Sequence, residues 1–221
     1  MSDPTGGPAP LPEGWQRLPL RDLCSFQVGP AVKGKERTDA DEGVPLVLPR
    51  DVVHQRITPA ESIGVVLERA RMLQKYRLIE GDVLVVRTGT VGRCAMVTGE
   101  QEGWLYHANL FRLRLFDDPD RSLAAYLTGY LSAGFAQSWM HQRSASAVIP
   151  SLSTRELGEL PVFVPPPAEQ RAIGATLAAL DEKVRLHTEI ARATGEFRGT
   201  LADLLMTGVL SPEGPESDAR P

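Results

Sequence analysis

The apolar residues of this chain follow two different spacings. From residue 16 to residue 164 they occur in short runs, often β-branched and bounded by turn-forming residues, which is the pattern of strands in a compact body. The predicted strands are Gln16–Leu20, Val44–Leu48, Asp82–Thr88, Cys94–Val97, Asn109–Phe116 and Pro161–Val164. The last quarter of the chain carries an apolar residue every three or four positions, which predicts a helix.

Two of these strands are expected to differ in burial. Asp82–Thr88 (DVLVVRT) holds an uninterrupted apolar run, so we expect both of its faces to be covered. Asn109–Phe116 (NLFRLRLF) alternates apolar and polar residues, so we expect it to be half-buried. Arg87–Arg93 (RTGTVGR) is predicted to be a tight turn whose glycines take positive φ.

Two helices are predicted in the same region. Val65–Arg77 suits a short helix with several basic residues, and Ser122–Gln142 suits a longer one. The large apolar residues of the longer helix are Leu123, Leu127, Tyr130, Leu131, Phe135 and Trp139. Lys33–Gly43 is expected to be a polar loop. Because the strands are short and no βαβ unit repeats, the predicted fold class is α+β: one mixed α/β domain followed by a long helix.

The long C-terminal helix is predicted from Ala168 to about Thr207. Three prolines, Pro165–Pro167, end the extended segment before it, since proline lacks an N–H and disfavours helical geometry in the residue before it. The helix would span about 60 Å. Its apolar stripe is mostly heptad-spaced and comprises Ile173, Leu177, Leu180, Val184, Ile190, Phe197, Leu201 and Leu204. Such a long stripe exceeds what a small body can cover, so we expect it to pair with another helix.

These patterns predict four segments. Residues 1–12 are expected to form a disordered leader and residues 209–221 a disordered tail, because both are rich in Pro and Gly and carry no apolar run. Residues 13–165 form the predicted body, and residues 166–208 form the predicted helix with Gly208 as its C-cap.

The charge is unevenly distributed along the chain. The formal net charge is −4, yet residues 14–165 carry 18 Lys and Arg against 17 Asp and Glu. This balance argues against a protein that simply coats DNA, because non-specific affinity comes from phosphate neutralisation. No apolar run approaches the roughly 18–20 residues of a membrane span. The N-terminus lacks the pattern of a signal peptide, so we expect a cytoplasmic protein with reduced cysteines.

Several short motifs occur along the chain, and their order is informative. They are LPEGW (11–15) with LRDL (20–23), EGDVLV (80–85) with TGTVG (88–92), IPSLS (149–153) with LPV (160–162), PPPAEQ (165–170) and LLMTG (204–208). In this order, and over nearly the whole chain, they resemble the specificity (S) subunits of type I restriction-modification systems. Each motif alone is a weak signal, whereas the ordered set is strong.

This resemblance implies a non-catalytic subunit that selects the DNA sequence on which its partners act. Residues 13–165 would be the target recognition domain, and residues 166–208 would pair and dock partners. The implied partners are double-stranded DNA, adenine methyltransferase subunits that use S-adenosylmethionine and, in some systems, a restriction subunit driven by ATP. No cofactor is expected in this chain itself.

The resemblance departs from the usual family pattern in one respect. Family members usually have two recognition domains and two long helices, whereas this chain has one of each. The resemblance therefore implies a half-subunit that forms a homodimer by antiparallel pairing of its helices. Such a symmetric dimer would read a palindromic, interrupted DNA site.

The candidate DNA contacts are basic, amide and hydroxyl side chains in predicted loops and on or after the helices. They are Lys33, Lys35, Arg37, Arg69, Arg71, Lys75, Arg87, Arg93, His107, Asn109, Arg143 and Ser144, followed by Ser146. The cations would hold phosphates, Asn109 would read adenine, and His107 would hydrogen-bond a base edge. A solvated or structural role is the alternative for each, and Thr88–Gly92 lacks the Gly-Lys-Ser/Thr ending of a phosphate-binding loop.

Signals for catalysis are absent from the sequence. The four histidines have no metal-ligand spacing with each other or with the two cysteines, and neither a nucleophile elbow nor a dinucleotide fingerprint occurs. We therefore expect no metal and no enzymatic activity. Two alternatives to a type I specificity subunit stay open: a protein-interaction adaptor, and a recognition module of another methyltransferase-based defence system. A small enzyme using His107 and Asp82 is the third hypothesis.

Overall fold

A computed structural model describes residues 11–59, 61, 63–144 and 148–210. The predicted leader (residues 1–10 of it), the predicted tail from residue 211 and Ser146 lie outside the described residues. The chain divides after Ala178 into two compact units. The first contains every strand found in the described residues and the start of the long helix, and the second contains the rest of that helix. In the described residues, no helix has the length and apolar content needed to cross a membrane.

The elements confirm a mixed α+β composition with short strands. The strands are β1 (Gln16–Pro19), β2 (Cys24–Val28), β3 (Arg37–Asp39), β4 (Val44–Val47), β5 (Val52–Val53), β6 (Arg56–Ile57), β7 (Ile63–Val65), β8 (Val83–Val86), β9 (Cys94–Met96), β10 (Leu105–Tyr106), β11 (Leu110–Leu115) and β12 (Pro161–Val164). The helices are α1 (Leu67–Met72), α2 (Ser122–Ser132), α3 (Gly134–Ser144), α4 (Thr154–Gly158) and α5 (Pro167–Met206).

A four-stranded antiparallel sheet in the order β2-β11-β8-β9 forms the centre of the first unit. Strand β8 is buried throughout, as its apolar run predicts. The prediction that β11 is half-buried is wrong, because its first four residues are all buried. Phe111 and Leu113 belong to one core cluster, and Leu110 belongs to a second. Both faces of β11 are therefore covered, and Arg112, which is 7% exposed, donates to the Lys75 carbonyl oxygen at 3.2 Å.

The predicted turn between β8 and β9 is confirmed. Gly89 and Gly92 have φ values of 85° and 92°, which L-residues rarely adopt. A Cβ on Gly92 would also lie 2.8 Å from the Gln137 side-chain oxygen. Both positions therefore require glycine for their backbone conformation. Gly92 requires it also because α3 approaches too closely for a side chain.

A second sheet in the order β10-β4-β7-β3 packs a separate core cluster. Two sequence predictions are corrected here. The predicted loop from Lys33 to Gly43 contains strand β3, because Arg37 pairs with Val65 on β7. The predicted helix from Val65 to Arg77 shortens to α1 and a single 3₁₀ turn at Gln74–Tyr76, because Val65 belongs to β7.

The predicted helix Ser122–Gln142 is two helices. Ala133 interrupts it with an extended backbone (φ −68°, ψ 145°), and α3 restarts at Gly134. Phe135, two residues after the break, is 52% exposed, whereas the helical spacing predicts a place on the apolar face. Phe135 still packs edge-on against Tyr130, with ring centroids 4.7 Å apart.

Strands β1 and β12 pair as a separate antiparallel ribbon that brings the start of the body to the base of α5. The indole N–H of Trp15 donates to the Glu169 carboxylate at 3.0 Å. Gly14 has a φ of 78°, and a Cβ there would lie 3.0 Å from Pro166. The motifs LPEGW and PPPAEQ, far apart in sequence, thus form one joint.

Helix α5 has 40 residues and begins and ends within one residue of the prediction. Gly208 follows it with a φ of 73°. The first two residues of its apolar stripe are used within the first unit: Ile173 packs against the core, and the Leu177 side chain lies over Gly129 on α2. In the second unit the exposed fractions of stripe residues are large, at Leu180 55%, Val184 56%, Ile190 61% and Phe197 67%.

Candidate nucleic-acid interface

The pairing of the central sheet gathers three loops that carry predicted site residues at one end. At this end β2 and β8 stop and β9 and β11 start, because Phe111 pairs with Val28 and Leu110 with Val86. The loop after β2, the β8–β9 turn and the loop before β11 therefore emerge together. We call this the basic end of the sheet, and its predicted site residues are Lys33, Lys35, Arg37, Arg87, Arg93, His107 and Asn109.

Backbone contacts join these loops to one another. The Arg87 N–H donates to the Asn109 carbonyl oxygen at 2.9 Å, and the Asn109 N–H donates to His107 Nδ1 at 3.1 Å. The Gly29 N–H, at the start of the loop that carries Lys33, donates to the Leu110 carbonyl oxygen at 3.1 Å. The loops are thus held in one arrangement by the sheet.

His107 has a defined hydrogen-bonding role. Since its Nδ1 accepts the Asn109 N–H, the neutral ring carries its proton on Nε2, where it is a donor. Burial, and secondarily the nearby positive charge of Arg37, lower the pKa of His107 below its usual 6.5. The ring is therefore neutral at pH 7 and offers one N–H donor.

Arg87 is half-buried at the same end. Its guanidinium lies over the Phe111 ring, 5.3 Å from the centroid, and its Nε is buried without a hydrogen-bond partner in the described structure. The contact with Phe111 holds the plane of the Arg87 guanidinium beside the turn.

The cations of the basic end lack acidic partners. In the part of the chain that the structure describes, Lys33, Lys35, Arg37, Arg87 and Arg93 form no ion pair. Four of them, Lys33, Lys35, Arg37 and Arg93, are also exposed. Their charges therefore stay available to a polyanion.

The predicted cations on and after α1 lie beside this end but are partly engaged. The Val66 N–H donates to the Glu36 carbonyl oxygen at 3.0 Å, which brings α1 to the loop after β2. Arg69 pairs with Glu36 at 3.3 Å, and Lys75 lies 5.1 Å from the centre of the Tyr76 ring. Arg71 is exposed.

Two further predicted DNA contacts, Arg143 and Ser144, lie on α3, and this helix packs against the β8–β9 turn. Gln137 on α3 donates to the Gly92 carbonyl oxygen at 2.9 Å. Arg143 is exposed and stacks on Trp139 at 3.7 Å. Ser144 is only 2% exposed, and its hydroxyl donates to the His141 carbonyl oxygen at 3.2 Å. We therefore leave Ser144 out of the candidate interface.

Sequence reasoning missed one feature beside the central sheet. The β5–β6 hairpin turns through His54 and Gln55, both with positive φ, and Gln55 forms a bridge with Ala95, the middle residue of β9. Nothing in the sequence marks this turn, because His-Gln is not among the residue pairs that favour left-handed conformations.

The other end of the sheet uses its charges internally. Both carboxylate oxygens of Asp82 accept hydrogen bonds from Arg114, each at 2.7 Å, and Oδ2 also accepts the Ile79 N–H at 2.9 Å. Asp82 is 1% exposed. Asp82 therefore has the contacts of a structural carboxylate. Among the described residues, no group of three His, Cys, Asp or Glu side chains is placed to hold a metal ion.

Comparison with known proteins identifies one matching family and several similar proteins. The profile of the family described as type I restriction modification DNA specificity domain matches residues 12–193. Over 207 residues the chain is 25% identical to the protein described as the MjaX type I restriction enzyme specificity subunit of Methanocaldococcus jannaschii, covering 90% of this chain and 47% of that one. It is 24% identical to the EcoBI specificity subunit of Escherichia coli, covering 91% of this chain and 40% of that one.

A solved structure also has a fold similar to that of this chain. The crystal structure of the HsdS subunit of Thermoanaerobacter tengcongensis superposes with a TM-score of 0.60 at 21% identity, covering 82% of this chain and 41% of that one. The chain thus spans less than half the length of the relatives it matches.

Proposed function

We propose, on the premise that this chain belongs to the type I restriction modification DNA specificity domain family, that it recognises a DNA sequence for an adenine methyltransferase and performs no catalysis itself. The observation that carries the proposal is the convergence of three loops at the basic end of the central sheet: two carry cations without ion pairs, and the third carries His107 and Asn109. We further propose that the protein acts in the cytoplasm.

The basic end supplies two kinds of DNA contact. Lys33, Lys35 and Arg93 are exposed and bind phosphates, which fixes register without reading sequence. His107 offers its Nε2–H to an acceptor on a base edge, and Asn109 follows it in the same loop. An amide can pair bidentately with adenine in the major groove.

The long helix provides an assembly surface. Six stripe residues lie in the second unit: Leu180, Val184, Ile190, Phe197, Leu201 and Leu204. The first four of them are more than half exposed, which is costly for apolar side chains in water. A second copy of this helix, running antiparallel, buries the stripe and produces a two-fold dimer that reads a palindromic, interrupted site.

Light scattering of the full chain at micromolar concentration tests this assembly. The expected mass is that of two chains, and Ile190→Asp, which places a charge in the stripe, reduces it to one. A monomeric mass for the unmodified chain would rule out the homodimer.

The partners in this proposal are methyltransferase subunits and, where the system has one, a restriction subunit. Both named relatives are specificity subunits of type I restriction enzymes. A specificity subunit acts by positioning partner enzymes on DNA. The modest charge of the body agrees with this arrangement, since partners would add to the phosphate contacts.

Fluorescence anisotropy with a labelled duplex tests the DNA-binding function. For the full chain assembled with its methyltransferase, log affinity should fall linearly with log salt concentration. The triple variant K33A/K35A/R93A should reduce the magnitude of that slope by about 3, since each lost phosphate contact contributes about 0.9.

Arg21→Ala is the matched control for charge removal. Arg21 pairs with Glu159 at 3.3 Å, away from the basic end. Its removal should leave the salt slope unchanged. Equal slopes for the unmodified complex and the triple variant would overturn the assignment of phosphate binding to the basic end.

A further inference from the structure

A short segment before α4 pairs with the turn between β8 and β9. The Gly89 N–H donates to the Pro150 carbonyl oxygen at 2.9 Å, and Thr88 and Ser151 form an antiparallel bridge. The hydroxyl oxygens of Thr88 and Ser151 lie 3.3 Å apart, within hydrogen-bond distance. Since the pairing is antiparallel, the residues that precede Pro150 run toward the tip of the turn. This segment is therefore part of the basic end of the sheet.

Two adjacent apolar residues of this segment lie in solvent. Val148 is 103% exposed and Ile149 is 61% exposed. Leu152, by contrast, is 0% exposed and belongs to the core cluster that contains Phe111. The packing of Leu152 anchors the segment, whereas neither Val148 nor Ile149 belongs to a core cluster of the described residues. We call Val148 and Ile149 the apolar pair.

The surroundings of the apolar pair indicate what covers it. Gly89 and Thr90, at the tip of the turn, are exposed. Arg93, at the end of the turn, is exposed and forms no ion pair among the residues that the structure describes. Apolar side chains beside unpaired cations fit a partner that is negatively charged and also offers apolar groups. The major groove of DNA does both, because phosphates flank it and each thymine presents a C5-methyl group there.

We propose that the apolar pair recognises thymine by contact with its methyl group. This inference rests on the proposed DNA-recognition function and adds a specificity-determining contact to it. The hydrogen-bonding groups of His107 and Asn109 suit the polar atoms of base edges, whereas a methyl group is read by apolar contact. Contact between the methyl group and the apolar pair removes the surfaces of both from water.

Removal of the methyl group from the DNA tests this contact without any change in the protein. The unmodified full chain, assembled with its methyltransferase, first selects its motif from a pool of duplexes with a randomised segment. Each thymine of that motif, on either strand, is then replaced singly by deoxyuridine, which pairs in the same way but lacks the C5-methyl group. Fluorescence anisotropy should show about 4-fold weaker binding at one or two of these positions, the effect of one buried methyl-sized group.

The double variant V148S/I149S tests the same contact from the protein side. Both side chains are exposed, so the variant should melt at the temperature of the unmodified chain. Its complex with the methyltransferase should bind the thymine and deoxyuridine duplexes equally at the positions where the unmodified complex distinguishes them. The salt dependence of binding should be unchanged, because the variant removes no phosphate contact.

Phe116→Ser is the matched control. Phe116 is 66% exposed and follows β11 at the opposite end of the sheet. This variant also replaces an exposed apolar side chain by serine. Its complex should retain the full difference between the thymine and deoxyuridine duplexes.

The outcomes distinguish failure of this inference from failure of the proposed function. If the unmodified complex selects no motif, the proposed function itself fails. A motif without thymine, or one in which deoxyuridine binds as well as thymine at every position, overturns the inference alone. A difference that V148S/I149S retains also overturns it. If this variant unfolds or no longer assembles with the methyltransferase, the apolar pair packs against protein, and the inference is again overturned.

Discussion

The two ends of the central sheet both carry charged side chains, but they use those charges in opposite ways. At one end, Asp82 is buried and receives two hydrogen bonds from Arg114. At the basic end, Lys33, Lys35 and Arg93 are exposed and form no ion pair among the residues that the structure describes. One end therefore contributes electrostatic stability to the fold, and the other leaves its charges available for binding.

This difference separates stability from function in space. Exposed, unpaired cations contribute little to folding, so their removal should be nearly neutral for stability. A buried carboxylate with three hydrogen bonds is tied to the core, so its removal should be costly. Variants at the two ends should consequently affect different measurements.

The largest effect on stability is expected for Asp82→Ala. The variant leaves Arg114 without its carboxylate partner and the Ile79 N–H without its acceptor. We expect a loss of about 3 kcal/mol in the free energy of unfolding, as for other broken buried pairs. Urea denaturation followed by circular dichroism measures it.

Glu80→Ala sharpens this prediction as a control. Glu80 pairs with Arg121 at 2.9 Å, but their side chains are 40% and 47% exposed, so the loss should stay below about 1 kcal/mol. Similar losses in the free energy of unfolding for the two variants would show that the buried Asp82–Arg114 pair stabilises the fold no more than the exposed Glu80–Arg121 pair. That result would contradict the difference drawn here between the two ends of the sheet.

A smaller effect is expected from the pH dependence of His107, at the basic end. Its pKa is lower in the folded chain than the usual 6.5, so the unfolded chain binds more protons between the two values. Stability should therefore decrease as the pH falls from above 6.5 through the lowered pKa, and then stop changing. Protonation also removes the acceptor for the Asn109 N–H.

His107→Gln tests the origin of this pH dependence. Glutamine keeps an acceptor for the Asn109 N–H and does not titrate. Urea midpoints between pH 5.5 and 8 should depend less on pH in the variant than in the unmodified chain. Identical pH profiles would assign the dependence to other groups.

The sequence was most informative where local chemistry decides the structure. Pro165–Pro167 and the heptad-like stripe placed α5 correctly to within a residue at each end. The glycine turn at Gly89 and Gly92 follows equally from a local requirement, positive φ. In both cases the determining residues are neighbours in the chain.

The sequence was least informative where distant segments meet. Alternation predicts a half-buried β11, but a second core cluster covers the face that carries Leu110. The convergence of Lys33, Arg93 and His107 depends on sheet pairings between residues far apart, which periodicity does not encode. The left-handed turn at His54 is imposed by the strands that flank it rather than by its own preference.

The joint between Trp15 and Glu169 has an evolutionary consequence. Because β1 and β12 pair, the polypeptide enters and leaves the body at neighbouring points. A unit connected in this way can be exchanged between genes, or duplicated in tandem, with two nearby splices that leave its interior intact. Under the proposed DNA-recognition function, such an exchange would transfer the whole basic end at once.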